Sequence, residues 1–239
     1  MSTTNASLPI VAVAAEAREF NGLLRHADRQ SPLPLALQFA CEAMINGRRW
    51  LLVANGAGPR LAEAALRQAL KLAHPAIVVS TGNCGALDAA LREGDVFVAT
   101  SVLLPDQGTR FAAQMPPLGD NTARGMLLSM DRVAVSATEK GSLRATGALA
   151  IEMEAGAVAR AASESGCPFF CIRGVSDTAG QSLPLDFNSY RDADGRFETR
   201  RIALAALLRP WKLAGLIALA RGGRAASHNL GEFLARCPF

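Results

Sequence analysis

The sequence predicts a three-layer α/β/α sandwich around a mixed, mostly parallel sheet. Three observations carry that fold class. Short continuous apolar runs at residues 8–15, 76–80 and 169–175 have the length of strands and the composition of strands covered on both faces. These runs alternate with helical patterns, as in a sheet flanked by helices. A length of 239 with 50% hydrophobic residues suits one large α/β domain over 1–239, ending in a basic helical tail over about 209–239.

Taken in order, residues 8–15 read as a buried strand and 16–26 as a helix. Strand character resumes after Pro32 and Pro34. Asn46-Gly47 is a hairpin signal between 41–45 and 49–54. Asn55-Gly56-Ala57-Gly58 leads into a helix ending near Leu72, and Pro75 restarts the chain as strand 76–80. The run Thr81-Gly82-Asn83-Cys84-Gly85-Ala86 reads as a glycine-bearing loop. Glu93-Gly94-Asp95 turns into strand 96–104, and 105–121, dense in proline and glycine, reads as a loop. A strand over 127–136 and a short helix over 139–146 follow. The centre of the chain is a strand at 149–153, a helix at 154–165, a Gly-Cys-Pro break and the strand 169–175, which ends in Ser176-Asp177. A polar loop to Gly195 gives way to helical patterns.

Composition excludes several classes. A net charge of +4 and basic residues that are spread out until the C-terminal third leave no stripe for nucleic acid. Five cysteines, an odd number without framework spacing, point to a reducing cytoplasmic setting. The three histidines form no ligand motif, so no metal or cofactor is expected. The opening run lacks the basic region and cleavage site of a signal peptide. The best transmembrane candidate, 202–220, is interrupted by Arg209, Pro210 and Lys212.

The central unit places Glu154 just past one strand and Asp177 at the carboxyl end of the next. Ligands of open α/β sheets bind beyond strand carboxyl ends, so both carboxylates face one crevice. The two glycine-bearing turns let backbone approach a ligand closely, and their amides suit an anion. Gly56 and Gly58 begin a dinucleotide fingerprint, but Leu61 stands where its third glycine belongs, which disfavours a nicotinamide oxidoreductase.

Three segments together resemble the superfamily of purine nucleoside phosphorylases and methylthioadenosine/adenosylhomocysteine nucleosidases. Ile151-Glu152-Met153-Glu154-Ala155 is similar to its ribose-binding Glu-Met-Glu signature, and Arg173-Gly174-Val175-Ser176-Asp177 to its catalytic strand end. Thr81-Gly82-Asn83-Cys84-Gly85 resembles its base and phosphate loop, and Gly94-Asp95-Val96 the turn after it. Within the superfamily the chain most resembles the hopanoid-associated phosphorylases. That likeness rests on the run from Glu139-Lys140 to Thr146-Gly147-Ala148 and on the basic, leucine-rich tail from Leu208.

The resemblance implies a nucleoside phosphorylase-like fold and an enzyme that releases an adenine or other purine base from a nucleoside. It leaves open phosphorolysis, with phosphate as co-substrate, or hydrolysis, as in the nucleosidases. Adenosylhopane is the substrate the narrower likeness implies. Glycosidic cleavage needs an acid at the leaving base, anionic groups near the cationic sugar and a nucleophile opposite. Asp177 fits the acid, its proton held by the apolar walls of Phe169 and Val175. Glu154 fits the ribose hydroxyls, with Met153 packed on the sugar. Ser176, Gly82, Asn83, Cys84 and Gly85 complete the substrate site. Glu152, alternating away from Met153, reads as an ordinary exposed residue. Arg173 reads as positioning an anion or the attacking water.

The nucleosidases carry a water-activating glutamate shortly after the first strand. Gapless alignment puts Arg18 there, with Glu16 two residues earlier as the candidate base. An arginine suits phosphate, and Arg18, Gly58 and Asn83 are the phosphate-binding candidates. A non-catalytic nucleoside-binding module on the same fold is the competing class. The helix beginning near Trp211 either packs on the domain or a partner subunit, as in a homodimer, or lies as a basic amphipathic helix on the inner membrane surface.

Overall fold

The computed structural model describes residues 8–117, 122–193 and 195–239. Its strands are β1 (Ile10–Ala14), β2 (Ala27–Pro32), β3 (Phe39–Ile45), β4 (Arg48–Ala54), β5 (Ile77–Ser80), β6 (Asn83–Ala86), β7 (Val96–Leu104), β8 (Thr109–Ala112), β9 (Ala123–Ser129), β10 (Ala150–Glu152) and β11 (Phe169–Asp177). Its helices are α1 (Asn21–Leu24), α2 (Pro59–Leu72), α3 (Ala137–Arg144), α4 (Ala155–Glu164), α5 (Thr199–Leu207) and α6 (Leu213–Arg236).

The strands form one mixed sheet in the order β2-β3-β4-β1-β5-β11-β6-β10-β9-β7-β8, and β11 also pairs with β7. Strands β4, β1, β5 and β11 run parallel side by side. The extra β11–β7 pairing is antiparallel and bends the sheet back on itself, so β11, β6, β10, β9 and β7 form a closed ring. Alternation along β1 divides the core. Val11 and Val13 pack toward α2 and α4, while Ile10, Ala12 and Ala14 pack with Phe20, Leu23, Leu230 and Leu234 on the other side. The many alanines of α2 and α4 let both helices lie close to the sheet.

Several elements differ from the sequence reading. Residues 16–26 are not one helix: a short 3-10 turn at Ala17–Phe20 runs into the single turn α1, and by Ala27 the chain is pairing with β3. The glycine-bearing stretch after β5 is itself a strand, β6, because Gly82 at φ 120 turns the backbone so that Asn83 to Gly85 can pair with β11. Part of the expected 105–121 loop is β8, hydrogen-bonded to β7; residues 118–121 lie outside the described residues. The strand expected at 127–136 begins earlier and stops at Ser129. The Asn46-Gly47 turn has φ 49 and 73, the left-handed pair that a two-residue hairpin requires.

The C-terminal stretch is helical, and its two halves behave differently. The second half of α6 is core: Gly222, Ala226, Leu230, Gly231 and Leu234 are buried. A Cβ on Gly231 would come within 2.1 Å of the Gly22 backbone, so α6 crosses α1 at backbone contact. The first half, with Trp211 and the end of α5, stays exposed.

Candidate active site

Four acidic side chains reach one region from different elements. Glu19 comes from the 3-10 turn after β1, Glu152 from the end of β10, Glu154 from the residue capping α4, and Asp177 from the end of β11. All four are less than a tenth exposed. Buried carboxyls need partners, and here they fall into two groups.

The first group surrounds Arg173, whose side chain is wholly buried. Its guanidinium pairs with Glu152 at 2.5 Å, lies 3.7 Å from Glu154, and donates to the Thr81 carbonyl and the Ser80 hydroxyl at 2.7 Å each. Glu152 also accepts from the amides of Glu154 and Ala155, satisfying the start of α4. Glu154 accepts from Gly58 N–H at 2.8 Å. Glu19 accepts from Asn83 N–H at 2.8 Å and from Glu16 N–H at 2.9 Å. The absent side chain of Gly82 makes room here, since a Cβ would stand 2.7 Å from Glu19 Oε1 and 3.1 Å from Arg173 Nη1. One guanidinium serves three carboxyls. Burial pushes the Glu19 carboxyl up from its ordinary value against the pull of its amide partners. Burial and the neighbouring Glu152 charge raise Glu154 as well, opposed by Arg173.

The second group is Asp177 with Lys140. Lys140, from α3, is 1% exposed and spends its ammonium protons on Asp177 Oδ2, the Thr178 carbonyl at 2.9 Å and the Gln181 carbonyl at 3.0 Å. Ser176 Oγ lies 2.6 Å from Asp177 Oδ1 and 3.1 Å from the Cys84 carbonyl. A hydroxyl has one proton. With Asp177 ionised the proton points to Oδ1; with Asp177 protonated the carboxyl donates to Oγ and the hydroxyl turns to Cys84. Either state keeps its hydrogen bonds. This polar setting replaces the apolar walls expected from Phe169 and Val175.

The sequence candidates are therefore sorted by the fold. Glu154, Met153, Asp177, Ser176 and the β6 residues Asn83, Cys84 and Gly85 come together around the end of β11. Glu16 and Arg18 do not join them: they pair with each other at 2.7 Å, with side chains 39% and 73% exposed. The proposed phosphate set does not assemble, because Arg18 faces solvent, the Gly58 amide is committed to Glu154 and the Asn83 amide to Glu19. Arg173 is enclosed by carboxylates rather than open to an anion. Glu152 is buried and structural, not exposed, because both faces of a central strand are covered. Glu19 and Lys140 were missed. Glu16-x-x-Glu19 forms a reciprocal capping box, and that spacing was the signal for Glu19.

Beside Met153 lies a cleft of about 300 Å³, lined by Pro59, Leu104, Pro105, Met130 and Ala157 together with the charged residues Arg60, Glu63, Asp106, Asp131 and Arg160.

Residues 9–208 match the Phosphorylase superfamily. The chain is 27% identical over 205 residues to the 5'-methylthioadenosine/S-adenosylhomocysteine nucleosidase of Glaesserella parasuis, covering 74% of this chain and 89% of that protein. It is 28% identical over 173 residues to the corresponding nucleosidase of Halalkalibacterium halodurans, covering 61% and 75%. Its fold is similar to that of the Neisseria meningitidis nucleosidase in complex with methylthio-immucillin-A, with TM-score 0.70, 21% identity and coverage of 95% and 96%. It is also similar to that of the Streptococcus pneumoniae nucleosidase in complex with 8-aminoadenine, with TM-score 0.72, 18% identity and coverage of 95% and 97%. The chain belongs to the Phosphorylase superfamily.

Proposed function

We propose that this chain hydrolyses the N-glycosidic bond of an adenine nucleoside, with Glu19 as the base that activates water, Glu154 and Met153 on the ribose and Asp177 as the acid at the purine. The observation that carries the reading is Glu19 itself. It is a buried carboxyl held by two backbone amides beside Arg173, on the same side of the sheet end as Glu154. A carboxylate fixed this way can accept a proton from water as the sugar becomes cationic. Glu154 adds negative charge near that cation while accepting from the ribose hydroxyls. Asp177 gives its proton to the purine, and Ser176 follows by reversing its hydroxyl from Cys84 to Oδ1. No step needs phosphate or a cofactor.

The relatives' names speak of nucleosides substituted at the 5′ carbon. The cleft beside Met153 supports a similar 5′ substituent here, because Met153, placed on the sugar in this reading, shares it with Pro59, Leu104, Pro105, Met130 and Ala157. A lipid-bearing adenosine such as adenosylhopane is the finer reading, and one observation favours it. Leu204, Leu207, Leu208, Trp211, Leu213 and Ile217 stay exposed around the α5–α6 junction, with Leu207 at 78% and Trp211 at 73%. Arg200, Arg201, Arg209, Lys212, Arg221 and Arg224 lie in the same stretch, and no acidic residue occurs between Thr199 and Gly231. An apolar tip on a run with basic and no acidic residues suits the interface of an anionic membrane, where a fully buried large apolar side chain contributes about 1.5–3 kcal/mol. Among the described residues no single helix is long and apolar enough to cross a membrane, and Thr199–Leu207 meets Pro210–Arg236 at 107°. The tip sits close to the site: Gly215 packs on Pro184, and Gly222 lies against the Ser176 carbonyl. A peripheral position on the cytoplasmic face also suits five buried free thiols.

Incubation with 5'-methylthioadenosine, S-adenosylhomocysteine and an adenosine carrying a 5′-alkyl chain, each with and without phosphate, tests both readings. Free adenine and the free sugar should appear at a rate indifferent to phosphate. A sugar phosphate would remove Glu19 as base, and no turnover of any substrate would leave a nucleoside-binding module. Flotation with anionic and neutral vesicles should recover the protein only with the anionic ones. Failure to float, with a dimer in light scattering that Trp211→Asp dissociates, would assign the tip to a second copy.

A further inference from the structure

We propose that Lys140 is a positioning residue for the acid, stabilising the carboxylate that forms at Asp177 as its proton passes to the purine; this rests on the hydrolase reading above. A lysine on a short, mostly polar helix ordinarily reaches solvent. This one is 1% exposed, and every proton of its ammonium has an acceptor in the segment that starts at Asp177. Two of those acceptors are backbone carbonyls of Thr178 and Gln181, so the ammonium holds the strand end and the following turn as one piece. The third is Oδ2 of Asp177, while Oδ1 is held by Ser176. Both oxygens are therefore fixed before any substrate arrives. Gly85 leaves the carboxyl its space, since a Cβ there would come within 2.9 Å of Oδ2.

The proton movement balances without another reactant. The O–H bond of Asp177 breaks as an N–H bond forms on the purine, and the electron pair of the glycosidic bond stays with the neutral base. The carboxyl changes from neutral to anionic, and Lys140 remains an ammonium throughout. Negative charge thus appears at Asp177 only as the reaction proceeds, next to a cation already in place in a water-poor site. That difference between ground and transition state is what accelerates a step.

The test compares a substrate whose leaving group needs the acid with one that does not. 5'-Methylthioadenosine needs it; 4-nitrophenyl β-D-ribofuranoside leaves as a stable phenolate. Lys140→Met should lower kcat for the adenine substrate by about 10- to 100-fold and for the nitrophenyl riboside by less than about threefold, the range a single electrostatic or acid–base contribution covers. In an Asp177→Asn background, where no carboxylate forms for the ammonium to stabilise, Lys140→Met should cost less than about threefold more, because the two residues act as one unit. Circular dichroism and a thermal melt check the fold of each, and the double variant serves if the single one unfolds. Equal losses on both substrates, or independent losses in the double variant, would overturn the inference for Lys140 alone. A parent enzyme that releases no adenine would overturn the hydrolase reading, and Lys140's role with it.

Discussion

The two clusters of buried carboxyls in the proposed site, one at its sugar end and one at its base end, find their partners in opposite ways. At the sugar end, Arg173 is shared by Glu19, Glu152 and Glu154, and the remaining demand is met by backbone amides of Gly58, Asn83, Glu154 and Ala155. At the base end, Asp177 has a whole ammonium from Lys140 and a hydroxyl from Ser176. The shortage of cations at one end leaves carboxyls that hold or take up protons, which is the task of a base facing water. At the other end the Lys140 ammonium already stands where, in the proposed reaction, the carboxylate forms. Charge count, more than residue type, distinguishes the two roles.

The strongest way to break this comparison is at the sugar end. Glu19→Gln keeps the shape but has one acceptor oxygen, so it can hold only one of the Asn83 and Glu16 amides, and it cannot take a proton from water. It should lower kcat by about 10³-fold for adenine and nitrophenyl substrates alike, within the range of a positioned base. A Glu19→Gln enzyme that still cleaves the nitrophenyl riboside normally would show that water is activated elsewhere. Asp177→Asn should sharpen the contrast, with kcat for 5'-methylthioadenosine down by about 10²-fold and the nitrophenyl riboside nearly untouched. Steady-state kinetics on both substrates reads each case.

A smaller effect separates activity from stability. Burial holds the Glu19 carboxyl above its ordinary value, so the folded state binds that proton more tightly than the unfolded chain does. The sign follows: this contribution to stability is full below the unfolded carboxyl's pKa of about 4.3 and is lost as pH rises through the folded value. The hydrolytic rate runs the other way, rising over the same interval as the base ionises. Glu19→Gln should abolish the rising limb and, having no proton to release, should also remove this residue's share of the decline in Tm as pH rises. A variant whose Tm declines with pH as steeply as the parent's would mean that another group carries that loss.

How much of this was legible depends on whether spacing or topology made the contact. Glu154 and Asp177 were readable because each sits at the end of an apolar run, where the carboxyl end of a strand must open onto a crevice. Glu152 was misread because strand alternation says only that it opposes Met153; in a sheet covered on both sides, both directions are interior. Glu19 was hidden by a count along the chain. The turn after β1 is a 3-10 segment rather than a straight continuation, and it swings residue 19, not 16 or 18, back over the sheet. Lys140 gave no local signal, since its acceptors lie 37 to 41 residues later. The halves of α6 looked alike in sequence; only the crossing at Gly22 and Gly231 decides which half is core.

The two ends also share a device, and it yields the smallest and most discriminating change. Gly82 lies under Glu19 and Gly85 under Asp177, in the same strand-and-turn segment. Gly82 has φ 120, so alanine there adds backbone strain to its 2.7 Å clash with Glu19. Gly85 has no such φ, and a methyl group would meet the Asp177 carboxyl first, at 2.9 Å from Oδ2. That carboxyl could yield a few tenths of an ångström if it were loose, but Lys140 and Ser176 hold both of its oxygens. Gly85→Ala should therefore lower kcat for adenine release by about three- to tenfold, a modest share of what a positioned acid contributes. It should leave nitrophenyl riboside cleavage and Tm close to the parent's. Combined with Lys140→Met, which frees Oδ2, the same substitution should cost little more. Full additivity of the two losses would mean that Asp177 is not clamped, and that the ordered base end is no different in kind from the sugar end.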